Sequence, residues 1–258
     1  MAGGGRAAAR RTRDRPTGRA TLVVGFDTAT DDVAVALVRF DASESSTGQL
    51  SGRSRSVAAG QHPRHATDLL EELETVVQPV GGWPGIDLIA VGVGPGSFTG
   101  LRICVATARA LAQALDKPVG PVGTLAALAR GIGEQSEAEA RPRLAVLDAR
   151  RGEAFAALHG PNGEELWPPL VTSPAKLAER LATLPEAPLA AGSGALRFRD
   201  ELEAAGAEVL PDAEPAHRVS ARHVCVLAEA GRPARPESIE PIYLRPPDAE
   251  LWLERDTH

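Results

Sequence analysis

Residues Gly92–Arg102 read GVGPGSFTGLR, between a nearly continuous apolar run at residues 86–93 and a helical pattern that ends near Asp116. A short apolar run of this kind is typical of a strand that is covered on both faces. Glycines at a strand–helix junction let the backbone turn tightly and approach a neighbouring segment closely. The stretch therefore predicts a strand, a turn and a helix of an α/β protein, and its candidate turn residues are Gly94, Gly96, Ser97, Phe98, Thr99 and Gly100.

Two chemical interpretations of this turn stay open. The first N–H groups of a helix are unpaired, so Ser97 or Thr99 can cap them and they attract an anion such as phosphate. However, residue 97 is a serine where a dinucleotide fingerprint requires its third glycine, and no P-loop lysine follows Gly100. A turn shaped for close packing is the more common explanation of such glycines.

The segments before this turn predict a hairpin, a third strand and a helix. Thr21–Asp27 is a short apolar run, and alternating apolar residues follow it, which is the pattern of a β-hairpin. Residues 41–50 are rich in Ser, Asp and Gly and predict a loop, after which residues 51–58 can return as a strand. Apolar residues then recur at helical spacing from Pro63 to Val77.

The second half of the chain repeats the start of the first. A short apolar segment ends in Asp148, as an earlier one ends in Asp27, and a polar turn follows both aspartates. Aligning the two aspartates places Ala154 on Val33. An initial set of strands followed by alternating helices and strands predicts a duplicated α/β fold with mixed sheets. Chance similarity between two hairpins is the competing explanation.

Composition and charge exclude several classes of protein. The 258 residues carry a formal net charge of −6; the first 20 carry six arginines and one aspartate, a formal +5, so the remainder carries −11. Such an acidic body is unsuited to a broad nucleic-acid surface. No apolar run reaches the roughly 20 residues of a membrane span, and no apolar segment of a signal peptide follows the arginines. Cys104 and Cys225 are too few for a disulfide framework or a zinc site, so we expect a cytoplasmic protein.

The predicted organisation has four parts. The arginine-rich tail has no apolar periodicity and predicts disorder, with an RNA-contacting arm as the functional alternative. Two similar lobes and a short C-terminal segment follow it. The predicted limits are 1–20 for the tail, 21–133 and 134–247 for the lobes, and 248–258 for the C-terminal segment.

The central string resembles the signature of the TsaB family. GPGSFTGLR at Gly94–Arg102, followed by a helix of small residues, is the most specific part of the resemblance. The strings FDTAT at Phe26–Thr30, LDARRGE at Leu147–Glu153 and PIYLRP at Pro241–Pro246 resemble other family segments in the same order. The resemblance covers about residues 21 to 247.

This resemblance implies both a fold and a role. The family has the actin-like, sugar-kinase-like (ribonuclease H-like) fold, with two α/β lobes of related topology. Its catalytic relative, TsaD, transfers a threonylcarbamoyl group onto an adenosine beside the tRNA anticodon. TsaB proteins pair with TsaD, and the ATPase TsaE joins them. The resemblance therefore implies a non-catalytic scaffold subunit that reaches tRNA only through its partner and is not associated with a membrane.

The same resemblance supplies candidate interface residues. Helices at the positions of residues 63–77 and 99–115 dock against TsaD in the family, and without TsaD the same surface can pair two copies of the chain. The candidates are Leu69, Leu73, Val76, Arg102, Val105 and Arg109. The competing interpretation is that each apolar residue packs on its own domain. An ATP or ADP at the partner interface near Ser97–Gly100 is compatible with the scaffold role, and no cofactor is required by this chain itself.

The alternative is an enzyme of the same fold, either an ATP-dependent transferase or a metallopeptidase. The catalytic relative holds its metal with a helical His-x-x-x-His pair, whereas here His62 and His65 are only three positions apart. Ala29 stands where ATP-using relatives have a glycine after the first-strand aspartate. Asp27 could bind magnesium, but an acidic strand end is more often a local backbone acceptor. No nucleophile with a base can be assembled from local motifs, so we predict no catalytic and no metal-binding residues.

Overall fold

The computed structural model describes residues 20–41, 47–55, 65–135 and 140–245. The first sheet has the strand order β3-β2-β1-β4-β5, in which β1 is antiparallel to β2 and parallel to β4. Its strands are β1 Thr21–Asp27, β2 Val33–Phe40, β3 Thr47–Arg55, β4 Leu88–Gly92 and β5 Val119–Val122. The alternating hairpin pattern thus forms the antiparallel part, and the continuous apolar run forms the buried parallel strand β4.

The second sheet repeats this topology. Its order is β10-β9-β6-β7-β8, so β6 occupies the place of β1, with an antiparallel hairpin on one side and a parallel strand on the other. Its strands are β6 Arg143–Asp148, β7 Ala154–His159, β8 Glu165–Thr172, β9 Leu189–Ala191 and β10 Glu208–Val209. The predicted duplication is confirmed, and the fold is the actin-like α/β arrangement of two ribonuclease H-like units.

The alignment of the two hairpins was wrong by one residue. Asp27 pairs with Ala34, seven positions later, whereas Asp148 pairs with Ala154, six positions later. Ala154 therefore corresponds to Ala34 rather than to Val33, because the second turn is one residue shorter. Both return strands are buried along nearly their whole length, so apolar alternation could not fix their register.

Several predicted bounds also change. The strand β3 begins at Thr47, inside the segment 41–50 that was predicted as a loop, because its backbone pairs with β2. The second parallel strand, β5, was missed because it has only four residues and contains Gly and Pro. The predicted tail 1–20 lies outside the described residues except for Ala20, and the predicted C-terminal segment 248–258 lies outside them entirely.

The helices form layers on both sheets. Helices α1 and α2 share a core with one face of the first sheet. Helices α4, α5 and α6 cover the outer face of the second sheet. The bounds are α1 His65–Val77, α2 Phe98–Leu115, α3 Thr124–Ile132, α4 Pro174–Leu181, α5 Ser193–Arg197, α6 Arg199–Ala204 and α7 Ala221–Ala230.

Two helices interlock the sheets. Helix α3 precedes the second sheet in the sequence but packs on β6, β7 and β9, whereas α7 follows the second sheet but packs on β1, β2, β4 and β5. The two helices also contact each other, and one continuous core joins them to both sheets. We refer to the first sheet with α1, α2 and α7 as the first lobe, and to the second sheet with α3 to α6 as the second lobe. The limits 21–133 and 134–247 stay a prediction, and α3 and α7 pack across them.

None of the helices in the described ranges is long and apolar enough to cross a membrane.

Candidate functional site between the two lobes

The carboxylate of Asp27 is a buried structural acceptor at the end of β1. Its Oδ1 accepts a hydrogen bond from the Ala29 N–H at 2.7 Å, and its Oδ2 accepts one from the Thr124 hydroxyl at 2.8 Å. A Cβ on Gly92 would lie 1.9 Å from Oδ2, so the glycine makes room for the carboxylate. Desolvation by burial raises the pKa of Asp27, although both hydrogen bonds and the nearby His65 oppose this. Asp27 therefore ties β1 to α3, as expected of a local acceptor.

The glycine-rich turn packs against the turn that follows β1. A Cβ would lie 1.9 Å from the Thr28 carbonyl oxygen if added to Gly100, and 2.3 Å from that of Ala29 if added to Gly96. The Ser97 N–H donates to the Ala29 carbonyl at 2.6 Å, and the Thr28 hydroxyl donates to the Gly100 carbonyl at 2.8 Å. Close backbone packing thus accounts for both glycines.

Ser97 caps α2, as one of the two sequence candidates for that role. Its side-chain oxygen accepts a hydrogen bond from the Gly100 N–H at 3.3 Å. The same turn also opens on one side into a cleft between the lobes. Gly96, Ser97, Phe98 and Thr99 line this cleft, so close packing on one side of the turn is compatible with exposure on the other.

The cleft has a volume of about 990 Å³ and is bounded by both lobes. The turn after β1, the turn after β6, the segment 212–218 and the segment 242–245 all contribute polar groups to its lining. On the second lobe, Asp148 repeats the arrangement of Asp27. Its Oδ1 accepts from the Arg150 N–H at 2.8 Å and its Oδ2 accepts from the Arg197 guanidinium at 2.7 Å. Asp27 is thus engaged by its own turn and by α3 of the second lobe, whereas both partners of Asp148 lie within the second lobe.

A stack of rings and a guanidinium stands at the mouth of the cleft. The ring centroids of Phe98 and Tyr243 are 5.0 Å apart, and the Arg102 guanidinium carbon lies 4.0 Å from the Phe98 centroid. Tyr243 is 41% exposed and Ile242 is 38% exposed. The sequence analysis named Phe98 and Arg102 as candidate site residues but did not name Tyr243. It used the string PIYLRP, which contains Tyr243, only as part of the family resemblance.

The predicted interface residues fall into two groups. The side chains of Leu69, Leu73, Val76 and Val105 are buried in the core between α1, α2 and the first sheet, so they are not available to a partner in this conformation. Arg109 is half-buried, and its guanidinium donates to the Glu237 carbonyl at 3.1 Å. Only Arg102 of the six is exposed.

The histidine at the start of α1 is buried rather than exposed. His65 is 4% exposed, and among the described residues its Nε2 has no hydrogen-bond partner. His62 lies outside the described residues. Within the described ranges no three His, Cys, Asp or Glu side chains are grouped so that they could hold a metal ion.

Comparisons with known proteins place this architecture among tRNA-modification proteins. The family model described as "TsaD: tRNA N6-adenosine threonylcarbamoyltransferase" matches residues 56–193, which include the glycine-rich turn and α2. The "tRNA threonylcarbamoyladenosine biosynthesis protein TsaB" of Escherichia coli is 29% identical over 231 residues, which cover 86% of this chain and 94% of that protein. An uncharacterized protein of Mycobacterium tuberculosis is 34% identical over 165 residues, which cover 64% of this chain and 67% of that protein.

A solved structure shares the whole arrangement. It is a Pseudomonas aeruginosa protein described as uncharacterized "with similarity to peptidase YEAZ". It is 26% identical, and the match covers 87% of this chain and 100% of that chain with a TM-score of 0.69. The correspondence therefore extends over both lobes rather than over the glycine-rich turn alone.

Proposed function

The chain belongs to the TsaB (YeaZ-like) family, and we propose that it is a non-catalytic subunit in the synthesis of threonylcarbamoyladenosine in tRNA. In this proposal it binds a TsaD-like transferase, is joined by a TsaE-like ATPase, and holds the transferase in its working conformation. It reaches tRNA only through these partners and acts in the cytoplasm.

The observation that carries the proposal is the outward side of α2. Arg102, Ala106, Ala110 and Ala114 are all exposed and lie four positions apart, so they form one stripe along the helix. The opposite side of α2 is buried against β4. A stripe of small side chains lets another helix approach closely, and an exposed arginine at its end can anchor an ion pair. Leu70 on α1, which contacts α2, is also exposed, at 52%.

The engagement of the polar groups near the cleft is consistent with a binding role. Asp27 and Asp148 each accept two hydrogen bonds from groups of this chain, and the Ser97 hydroxyl caps α2. Each of these groups therefore has a structural role, either as an acceptor at a strand end or as a helix cap.

An omission assay tests the role. Threonylcarbamoyl transfer to tRNA is reconstituted from purified TsaD-like and TsaE-like proteins and the enzyme that forms the carbamoyladenylate, with and without this chain. We expect product only when the chain is present. If omission leaves the yield unchanged, the scaffold role is wrong, and an enzyme of the same fold acting on its own becomes the leading alternative.

A substitution on α2 tests the surface. We expect Ala110→Arg to weaken binding to the TsaD-like protein at least about tenfold, because a long charged side chain prevents close helix approach. The matched control is Ala175→Arg, an exposed alanine on α4 of the second lobe. Isothermal titration calorimetry on both variants measures the difference. Equal affinities would place the interface elsewhere. Sedimentation of the chain alone would show whether the same surface pairs two copies.

A further inference from the structure

The two hairpin turns that follow β1 and β6 face each other across the cleft and are joined by an ion pair. The Arg150 Nη2 lies 2.9 Å from Asp31 Oδ1 and 2.7 Å from Asp31 Oδ2. These residues are 119 positions apart in the sequence but occupy equivalent turns of the duplicated fold. The pair therefore connects the two lobes at the cleft, which both residues line.

The second turn holds Arg150 in a conformation that non-glycine residues rarely adopt. The φ angles of Arg150, Arg151 and Gly152 are 64°, 53° and 77°, all in the left-handed region. Three hydrogen bonds stabilise this turn: the Arg150 N–H donates to Asp148 at 2.8 Å, the Glu153 N–H donates to the Arg150 carbonyl at 2.9 Å, and the Ala149 N–H donates to the Glu153 carbonyl at 3.0 Å. Such conformations persist where the surrounding structure enforces them, often at functional positions.

The segment 242–245 forms a second bridge between the same two lobes. Its Ile242 N–H donates to the Val93 carbonyl of the first lobe at 2.7 Å. Three residues later, the Arg245 guanidinium donates to Glu153 at 2.8 Å and to the Ala149 carbonyl at 2.9 Å, both in the turn after β6. The turn that presents Arg150 is thus also held by the segment that is anchored on the first lobe.

A third contact is longer. The Arg218 Nε, which precedes α7, lies 4.0 Å from Asp32 Oδ2 in the turn after β1. The first two contacts join the lobes through polar groups beside the cleft, whereas α3 and α7 join the lobes through an apolar core.

We propose that Asp31 and Arg150 form an interlobe latch, supported by the segment 242–245, that holds the two lobes at a fixed opening. The cleft is then a rigid feature of the surface and does not close on a ligand. This inference concerns the chain by itself and does not depend on the proposed partner.

The test measures the distance between the lobes in solution. Spin labels are placed at Gln78→Cys on the first lobe and Glu179→Cys on the second, both of which are exposed positions. Cys104 and Cys225 are buried and burial raises the pKa of both thiols, so they react slowly and labelling is selective. Diluting the labelled chain with unlabelled chain restricts the measurement to distances within one molecule.

Two single variants remove the latch, and a third is the matched control. Asp31→Asn removes the acceptor charge, and Arg150→Asn removes the cation while asparagine tolerates the left-handed backbone. Arg141→Ala removes an arginine–carboxylate pair of similar geometry, Arg141 to Glu208 at 2.6 Å, that lies wholly within the second lobe. Thermal unfolding of each variant verifies that it is folded.

We expect one narrow distance distribution for the parent and the control. Both latch variants should gain a second population, with the ratio of open to closed molecules raised about fivefold, which corresponds to about 1 kcal/mol. The charge-swapped double variant Asp31→Arg/Arg150→Asp should restore the narrow distribution. The proposal is overturned if the latch variants keep the parent distribution, or if Arg141→Ala broadens it equally.

Discussion

Asp27 at the end of β1 and Asp148 at the end of β6 accept the same backbone hydrogen bond, each from the N–H two residues later. Their second oxygens differ in partner. That of Asp27 bonds to the Thr124 hydroxyl in the core, and that of Asp148, which lines the cleft, bonds to Arg197. Asp27 is 1% exposed, whereas the Asp148 side chain is 16% exposed. The same motif, a strand-end aspartate that accepts a hydrogen bond from the N–H two residues later, is thus buried in the first lobe and partly exposed in the second.

The glycine-rich turn after β4 and the turn after β6 also differ in how closely they are packed. In the first lobe, the glycine-rich turn fits so closely that glycine is required by the neighbouring backbone. In the second lobe, Gly152 has open space around it, and the turn presents a charged side chain to the cleft. The glycine-rich turn after β4 therefore serves packing, and the turn after β6 serves a contact between lobes.

The largest expected effect concerns the glycines of the two turns. Gly100→Ala should lower the free energy of unfolding by about 3 kcal/mol or more, because its Cβ would meet the Thr28 carbonyl. Gly152→Ala should lower it by only about 1 kcal/mol, the cost of a left-handed alanine in open space. Urea denaturation of both variants compares them. Equal losses would remove the distinction between a packing turn and an open turn.

The second largest expected effect is the difference in stability loss between substitutions of the two strand-end aspartates. Asp27→Ala leaves the Ala29 N–H and the Thr124 hydroxyl proton without an acceptor in the core, so we expect a loss of about 2 kcal/mol. Asp148→Ala removes bonds that water can partly replace, and we expect less than about 1 kcal/mol. The same denaturation measurements apply. A larger loss at Asp148 would reverse the comparison.

The buried carboxylate should also impose a pH dependence. Burial raises the pKa of Asp27 above its ordinary value of 3.8, so the folded state binds this proton more tightly than the unfolded state. Its contribution to stability is therefore present at low pH and is lost as pH rises from the ordinary value through the raised folded pKa. Asp27→Asn cannot titrate. The unfolding free energy of the parent minus that of the variant should decrease over this window and then level off; a difference independent of pH would contradict the assignment.

The smallest expected effect is on stability at the latch. Arg150→Asn loses an exposed ion pair but places a residue that tolerates the left-handed region, so we expect a change within about 0.5 kcal/mol. Thermal unfolding provides the measurement. A large destabilisation would mean that Arg150 supports the fold of the second lobe rather than the spacing between lobes.

Sequence patterns predicted some parts of the site and not others. Ser97 was selected as a cap because hydroxyl residues before a helix satisfy its first N–H groups, and this local rule was sufficient. The apolar helical spacing of Leu69, Leu73 and Val76 identified a packed face, but spacing cannot say whether that face packs on its own sheet or on a partner. The structure buries it against the first sheet.

Other features lay beyond any local pattern. Tyr243 joins Phe98 although the two are far apart in the sequence, and Arg150 meets Asp31 across the cleft. The duplication did offer one signal, since Asp31 and Arg150 occupy equivalent turns. Equivalent positions indicate that Asp31 and Arg150 are close in space only once the two turns are known to face each other.

The amino-acid sequence alone determined the α/β class, the duplication and the strand–turn–helix at Gly92–Arg102, because apolar runs, helical spacing and glycine content act over a few neighbouring residues. The packing of α3 on the second sheet and of α7 on the first depends instead on how two units that are distant in the sequence pack together. The one-residue difference between the hairpins depends on cross-strand pairing. The difference in burial and in hydrogen-bond partners between Asp27 and Asp148 depends on the elements that cover each strand end. These are contacts between residues far apart in the chain, and their energies exist only once the tertiary structure has formed.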